Sequence, residues 1–290
     1  NRHTLTNGTW DHVRTFAFDH RLQLEEMDGY TLKKGGAFKE LCLDAALQVQ
    51  NGQPGYGILC DNRIGRSALH RATASGLWIG RPTEDPGSRP IQFEDDLGED
   101  FGRLKEWARE NVVKLLVFCH PDDDDKTRAM QEARVKRLFT ATRRNNLEFL
   151  LEVIPSKVGA VDDETTATLI QQFYDVGVYP DWWKLEPFTT DEAWQNAVNA
   201  IERNDPRTRG IVVLGLDASE DELAASFAMA AKQPLVKGFA VGRTIFGNVA
   251  RAWLKGDMSD AEAVSQMAER FQRLCDTWDN ARQDARLNAA

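Results

Sequence analysis

The stretch Pro180-Asp181-Trp182-Trp183-Lys184-Leu185-Glu186-Pro187 is a short apolar run that carries a lysine and ends at a proline. Such a run is typical of a buried parallel strand whose end faces a cavity. Because a lysine is almost never buried without compensation, its position calls for a chemical reason. Desolvation between two tryptophans would favour the uncharged amine of Lys184, the form that attacks carbonyl carbons. The stretch therefore predicts a Schiff-base lysine, although a solvent-reaching Lys184 that pairs with Glu186 explains it equally well.

Short apolar runs alternate with amphipathic segments along the rest of the chain. The predicted strands are Thr15–Asp19, Gly55–Asp61, Leu77–Pro82, Val112–His120, Glu148–Ile154, Trp182–Pro187, Gly210–Leu216 and Val236–Gly242. The predicted helices between and after them are Phe38–Gln50, Ile64–Ala74, Leu97–Glu110, Lys126–Arg144, Asp163–Val176, Asp191–Asn204, Ser219–Ala231 and Gly247–Leu254. Eight such units predict an α/β fold, a (β/α)8 TIM barrel. A doubly wound sheet is the alternative, but Asp19-His20-Arg21 stands where its glycine-rich turn would follow the first strand.

We assign residues 1–290 to a single barrel domain, which begins at Asn1 and is compatible with a piece of a longer polypeptide. An extra C-terminal helix from Asp260 to about Arg286 is expected to pack on the barrel exterior or in a subunit contact. The acidic run Asp122–Asp125 favours a helix start over a metal site. The segment Thr83–Leu97, rich in proline, glycine and acids, is predicted to be a surface loop.

The composition argues against several kinds of protein. A net charge of −9 without a basic stripe is unlike a nucleic-acid-binding surface. No apolar run approaches the roughly 18–20 residues that span a bilayer, so we predict no membrane partner. The four cysteines form no CxxC pair, which predicts reduced, buried thiols in a cytoplasmic protein. The five histidines form no HxH or HxxxH cluster, and we predict neither a metal nor another cofactor.

In a TIM barrel the catalytic groups lie at the C-terminal ends of the strands, and polar residues are frequent at these ends. The candidates there are Asp19, His20, Arg21, Asp61, Arg63, Lys114, His120, Glu152, Lys184 and Glu186. Period-two alternation places Lys184 and Glu186 on one face of their strand, and Lys114 and His120 on one face of theirs. If those faces point inward, two lysines and two glutamates converge, an arrangement that is costly unless the charges pair. Glu152 by itself is expected to be a structural partner of a lysine, but the whole set favours catalysis.

The last two strands end in residues suited to phosphate. Gly215 and Gly242 would let a phosphate approach backbone N–H groups, and Arg243 would add a charge-assisted contact. The alternative is an Arg243 side chain that tethers a loop to Asp217.

Five segments together resemble a known family. They are Phe16-Ala17-Phe18-Asp19-His20-Arg21, Gly57-Ile58-Leu59-Cys60-Asp61, Val113-Lys114-Leu115-Leu116-Val117, Asp181-Trp182-Trp183-Lys184-Leu185-Glu186-Pro187 and Gly238-Phe239-Ala240-Val241-Gly242-Arg243. The pattern resembles the domain often fused C-terminally to 5-dehydro-2-deoxygluconokinase of inositol catabolism. That domain is similar to class I aldolases of the tagatose-1,6-bisphosphate and sulfofructose-phosphate type.

The resemblance implies a role for each matching residue. Lys184 would be the Schiff-base lysine, Glu152 the acid/base carboxylate and Lys114 a second active-site lysine. Asp19 and Arg21 match an Asp-x-Arg element, while Gly242 and Arg243 match the phosphate-binding end. Gly215-Leu216-Asp217 departs from the serine and small residues usual in the bisphosphate aldolases, which favours a monophosphorylated substrate.

The resemblance thus implies a metal-independent class I aldolase that cleaves 6-phospho-5-dehydro-2-deoxygluconate to dihydroxyacetone phosphate and malonate semialdehyde. Arg21 or Arg63 would hold the substrate carboxylate. The alternatives are an aldolase for a related ketose phosphate and a non-catalytic barrel that regulates an associated or fused sugar kinase. The exposed C-terminal helix is compatible with a homo-oligomer.

Overall fold

Eight parallel strands form a closed barrel in chain order, which confirms the predicted TIM barrel. The structure is a computed structural model that describes residues 10–289. The strands are β1 Val13–Ala17, β2 Tyr56–Leu59, β3 Trp78–Pro82, β4 Asn111–Val117, β5 Glu148–Val153, β6 Trp182–Leu185, β7 Gly210–Leu214 and β8 Val236–Val241. Each lies within three residues of its predicted bounds.

Helices follow the strands. They are α1 Leu22–Glu25, α2 Leu32–Gln50, α3 Arg66–Ala72, α4 Asp125–Arg144, α5 Thr165–Asp175, α6 Asp191–Asn204, α7 Glu220–Ala230, α8 Arg243–Lys255 and α9 Asp260–Ala289. The short α1 was not predicted. Helix α2 begins six residues earlier than predicted, because the Thr31 side chain accepts the Lys34 N–H at 3.2 Å and caps the helix ahead of its Gly35-Gly36 pair.

The predicted helix Leu97–Glu110 is wrong. This part of the chain instead forms two 3-10 turns, Asp95–Leu97 and Gly102–Glu106. Phe101 between them is left-handed, with φ of 58°, which ends any helix there. Leu97, Phe101 and Leu104 are all buried, so their spacing of four and three residues imitates the apolar stripe of a helix.

The residues fall into two compact units according to their contacts. The first unit comprises 82–212 and 233–237 and holds β4, β5, β6 and α4 to α6. The second unit comprises 10–81, 213–232 and 238–289 and holds β1, β2, α1 to α3 and α7 to α9. The assignment of residues 1–290 to one domain stays a prediction, and residues 1–9 and 290 of it lie outside the described part.

Aromatic contacts in the first unit show which strand faces point towards helices. The ring of Trp183 on β6 lies 5.7 Å from that of Tyr174 on α5, and Phe149 on β5 lies 5.7 Å from Phe139 on α4. Since side chains alternate along a strand, Lys184 and Glu152 point the opposite way, into the barrel.

Helix α9 packs on the second unit, against α2, α7 and α8. Its apolar stripe is buried, and Phe271 lies 5.6 Å from Phe16 while Trp278 lies 5.5 Å from Phe227, centroid to centroid. Of the two predicted positions for this helix, the barrel exterior is therefore the one observed.

Three smaller expectations can be compared with the structure. Asp124 caps α4 by accepting the Thr127 N–H at 3.0 Å, which confirms that the acidic run starts a helix. All four cysteines are buried free thiols, as predicted. Among the helices of residues 10–289, none combines the length and apolarity needed to cross a membrane.

Candidate active site

Glu152 and Lys184 lie side by side on neighbouring strands. The register of β5 and β6 places Glu152 opposite Lys184, and the lysine Nζ lies 2.8 Å from the carboxylate Oε1. Both residues are buried. The structure thus joins the lysine and the acid that the sequence placed on separate strands, and Lys184 pairs with Glu152 instead of Glu186.

A second lysine reaches the same carboxylate from β4. Lys114 Nζ lies 3.0 Å from Glu152 Oε2, close enough for an ion pair although the angles are not those of a hydrogen bond. Among the described residues, none makes a hydrogen bond with this oxygen, although it is buried. Two buried cations therefore share one buried anion, and Oε2 keeps the capacity to accept a hydrogen bond from a ligand hydroxyl.

Glu84 completes the charge balance of this cluster and was not among the predicted site residues. Its Oε1 lies 3.2 Å from Lys114 Nζ. Glu84 follows β3 by two residues and is 3% exposed, so the surface-loop prediction for Thr83–Leu97 is wrong at its start. The rule that selected the other candidates, a polar residue just past a strand end, applies equally to Glu84. The proline, glycine and acids that follow it obscured this signal.

Glu186 lies two residues beyond Lys184 and binds a loop. Its carboxylate accepts the Ser156 N–H at 3.2 Å and the Ser156 hydroxyl. Burial raises the pKa of Glu186, and the Ser156 hydrogen bonds oppose that rise. Glu186 is thus held in place by the segment after β5.

His120 is also held by loops. Its Nε2 lies 2.8 Å from the Ala160 carbonyl and its Nδ1 is 3.2 Å from the Asp122 N–H. Because a carbonyl oxygen only accepts hydrogen bonds, the contact with Ala160 places a proton on Nε2. His120 therefore connects the segments that follow β4 and β5 through hydrogen bonds.

In the second unit, Asp61 is wholly buried and its carboxylate is already occupied. It forms a buried ion pair with Lys39 of α2 and accepts the Ile64 N–H at 2.7 Å. Lys39 also donates to the His20 carbonyl at 3.0 Å, so it ties together the segments after β1 and β2. Direct substrate binding by Asp61 would require one of these protein donors to leave. Nothing in the sequence distinguished Lys39 from the other lysines of α2.

The remaining strand-end residues of the second unit differ in exposure. Asp19 and Arg21 are buried just past β1. Arg63, predicted to bind a carboxylate, is exposed and lies 2.8 Å from Glu25 Oε1. To bind a substrate carboxylate, Arg63 would have to share or exchange its contact with Glu25.

The predicted phosphate-binding residues lie at the ends of β7 and β8. Arg243 NH1 lies 3.1 Å from Asp217 Oδ2, which is the tether given above as the alternative. Gly242 precedes α8, and a Cβ there would stand 2.1 Å from the Ala17 carbonyl oxygen, so only glycine fits without movement. Gly215 is less constrained, since its Cβ would meet Val241 at 3.1 Å.

Residues 1–282 match the family described as an uncharacterized protein conserved in bacteria (DUF2090). The chain belongs to this family. No curated protein matches this DUF2090 chain. Its association with a sugar kinase and its oligomeric state stay predictions.

Two solved structures are similar to the DUF2090 chain, each with a TM-score of 0.54 and 17% identity. One is Cgl0159 from Corynebacterium glutamicum (Brevibacterium flavum), over 92% of this chain and 87% of that one. The other is a fructose-bisphosphate aldolase from Slackia heliotrinireducens DSM 20476, over 91% and 87%. At this identity the likeness shows a shared fold.

Proposed function

We propose that this protein is a class I aldolase that cleaves a ketose phosphate through an imine on Lys184. The observation that carries the proposal is the 2.8 Å contact between Lys184 Nζ and Glu152 Oε1 inside the barrel. An amine acts as a nucleophile only after it loses its proton, and a carboxylate at this distance is placed to accept it. The similarity of the barrel to a fructose-bisphosphate aldolase supports aldol cleavage as the kind of reaction.

The first stage of the reaction forms the imine. Lys184 passes a proton to Glu152 and attacks the C5 ketone, which gives a carbinolamine. Glu152 then returns the proton to the departing hydroxyl, and water leaves. The product is a protonated imine, which lies next to the Glu152 carboxylate. The imine is the electron sink for the bond that breaks.

The second stage breaks the C3–C4 bond. Glu152 accepts the proton of the C3 hydroxyl, and the electron pair of the bond moves into the imine as an aldehyde forms at C3. Protonation of the resulting enamine at C4 and hydrolysis of the imine release the ketone product and restore Lys184. Glu152 Oε2, which makes no hydrogen bond with the described residues, suits the C3 hydroxyl.

Lys114 supports both stages through its charge. Its ammonium lies 3.0 Å from Glu152 and would stabilise the carboxylate whenever Glu152 has given up its proton. In the low-dielectric interior such a fixed charge has more effect than it would in water.

For the substrate we propose 6-phospho-5-dehydro-2-deoxygluconate, with dihydroxyacetone phosphate and malonate semialdehyde as products. Support for this choice is the resemblance described above. Gly215, Gly242 and Arg243 would bind the phosphate, and Arg243 would exchange its contact with Asp217 for it. Asp19 would orient a hydroxyl, and Arg21 would bind the substrate carboxylate.

The test is trapping of the imine with borohydride. Incubation with a panel of sugar phosphates plus borohydride should leave an adduct that peptide mass mapping locates on Lys184. Lys184→Ala should abolish both the adduct and the release of dihydroxyacetone phosphate, whereas Lys105→Ala, which removes an exposed lysine of the same unit, should change neither. Sugar-phosphate binding without any adduct would support the non-catalytic alternative. Full turnover by Lys184→Ala, or complete inhibition by EDTA, would contradict the proposal.

A further inference from the structure

Glu84 binds β4 through both of its carboxylate oxygens. Oε1 lies 3.2 Å from Lys114 Nζ, and Oε2 accepts the Leu116 N–H at 3.0 Å. The carboxylate therefore holds both the ammonium of Lys114 and the backbone two residues further along the same strand. All of this lies in the interior of the first unit, where Glu84 is 3% exposed.

The segment that carries Glu84 is itself fixed by hydrogen bonds. The Thr83 hydroxyl donates to the Lys114 carbonyl at 2.8 Å. Thr83 therefore binds the backbone of Lys114, and Glu84 binds its side chain. Backbone bonds from Glu94 to Thr83 and from Asp85 to Gln92 close the segment on itself. Glu84 is thus in position before any substrate binds.

A side chain of α4 anchors the far end of this segment. Gln131 accepts the Ile91 N–H at 3.1 Å and donates to the Phe118 carbonyl, just past β4, at 2.8 Å. The segment is therefore attached to the same strand end that it helps to organise.

Glu84, Lys114, Glu152 and Lys184 form a row of alternating charges. The successive contacts are 3.2, 3.0 and 2.8 Å long. In a buried row each charge needs its neighbours, because an uncompensated charge in the interior is costly. If the carboxylate of Glu84 were neutral, the Lys114 ammonium would have Glu152 as its anionic neighbour in this row and would compete with Lys184 for it.

We propose that Glu84 is a positioning residue that shares the charge of Lys114 and so keeps Glu152 available to Lys184. The inference rests on the proposed function and deepens it. Glu84 acts through Lys114 and does not touch the reacting atoms, so its loss should slow imine formation without removing the nucleophile.

The test compares wild type with Glu84→Gln, using dihydroxyacetone phosphate as the probe and borohydride as the trap. The rate of labelling at Lys184 should fall about 10- to 100-fold, the cost of removing an outer-shell partner at metal sites. The pH profile of labelling should shift as well, because the row loses one negative charge. Affinity for dihydroxyacetone phosphate, measured by titration, should change little. A merely structural role would not move the pH profile of a protein that remains folded.

Glu148→Gln is the matched control, since Glu148 is also a buried, ion-paired carboxylate of the first unit but contacts no lysine of the row. It should label at the wild-type rate. If wild type itself is not labelled, the proposed function is wrong and this inference falls with it. If wild type is labelled and Glu84→Gln matches it in rate and pH profile, the proposed role of Glu84 is overturned, whereas the proposed function still stands.

A double variant separates action through Lys114 from a direct effect. In the Lys114→Met background, adding Glu84→Gln should change the labelling rate by less than about twofold, because the partner through which Glu84 acts is already gone. A further loss as large as that of Glu84→Gln in the wild-type background would overturn the inference. If Glu84→Gln alone does not fold, the double variant still removes both members of the ion pair, and a further loss of about tenfold or more relative to Lys114→Met then overturns the inference.

Discussion

At the scale of single residues, the carboxylate of Glu152 contacts two buried lysines. Lys184 contacts one oxygen at 2.8 Å and Lys114 the other at 3.0 Å. This arrangement makes Glu152 the proton acceptor of the proposed chemistry and the counter-ion of Lys184. Glu152 shares Lys114 with Glu84.

We therefore expect Glu152→Gln to impair both activity and stability. Labelling of Lys184 should slow by about 10²- to 10⁴-fold, the usual contribution of a general base. The free energy of unfolding should fall by about 3–5 kcal/mol, because the variant takes away the carboxylate that pairs with the buried ammonium of Lys184. Trapping kinetics and urea denaturation measure the two effects.

Glu202→Gln, an exposed substitution on α6, serves as the control and should alter neither quantity. Wild-type labelling by Glu152→Gln would show that another group accepts the proton.

Among the elements, β5 carries a second buried acid at its opposite end. Glu148 accepts the Trp182 indole N–H at 2.9 Å and lies 2.6 Å from Arg209 Nε. Burial, with the nearby Asp181 carboxylate, raises the pKa of Glu148 to about 7, against the opposing effects of Arg209, the Trp182 hydrogen bond and Arg143. Glu148 therefore binds its proton at a higher pH than an ordinary glutamate does.

The raised pKa of Glu148 predicts a pH dependence of stability. Between the ordinary value of 4.5 and about 7, the folded state binds more protons at this site than the unfolded state. Stability from this group is therefore complete below pH 4.5 and is lost as the pH rises through 7, by about 3 kcal/mol in all. Urea denaturation from pH 4.5 to 8 should show a falling free energy of unfolding, and Glu148→Gln should flatten that slope. A slope that is the same in both proteins would contradict the assignment.

At the scale of the whole molecule, the barrel closes where β8 pairs with β1. Val13 stands opposite Gly238 in that pairing. A Cβ at Gly238 would lie 2.0 Å from the Val13 carbonyl oxygen, which is backbone and cannot swing aside. The seam therefore depends on the absence of a side chain at this position.

Gly238→Ala should consequently destabilise the protein by about 1–3 kcal/mol, the usual cost of overpacking. Gly36→Ala is the contrasting variant: it lies inside α2, and its Cβ would make an ordinary 3.5 Å contact with the Ile64 carbonyl oxygen. That change should stabilise the protein by about 0.5–1 kcal/mol, since alanine loses less backbone entropy in a helix. If both variants shifted the urea midpoint in the same direction from wild type, the clash expected at Gly238 would be contradicted.

The sequence by itself was sufficient for the barrel and for the alternation of side chains along its sixth strand. Strand alternation is a local property, so period two alone places Trp183 and Lys184 on opposite faces. The contact of Trp183 with Tyr174 on α5 then shows that Lys184 points into the barrel. The same local logic failed for Leu97–Glu110, where buried apolar residues at helical spacing sit on 3-10 turns.

Only the tertiary structure decided which charges meet. Glu84 reaches Lys114 and Leu116 across about thirty residues of chain, and Lys39 reaches Asp61 from a different element. Contacts of this kind arise from the register of neighbouring strands and the packing of the segments after them, which no short stretch encodes. Sequence pattern thus placed Lys184 and Trp183 on opposite faces of one strand, whereas the fold decided which face points into the barrel and supplied the row of charges around Lys184.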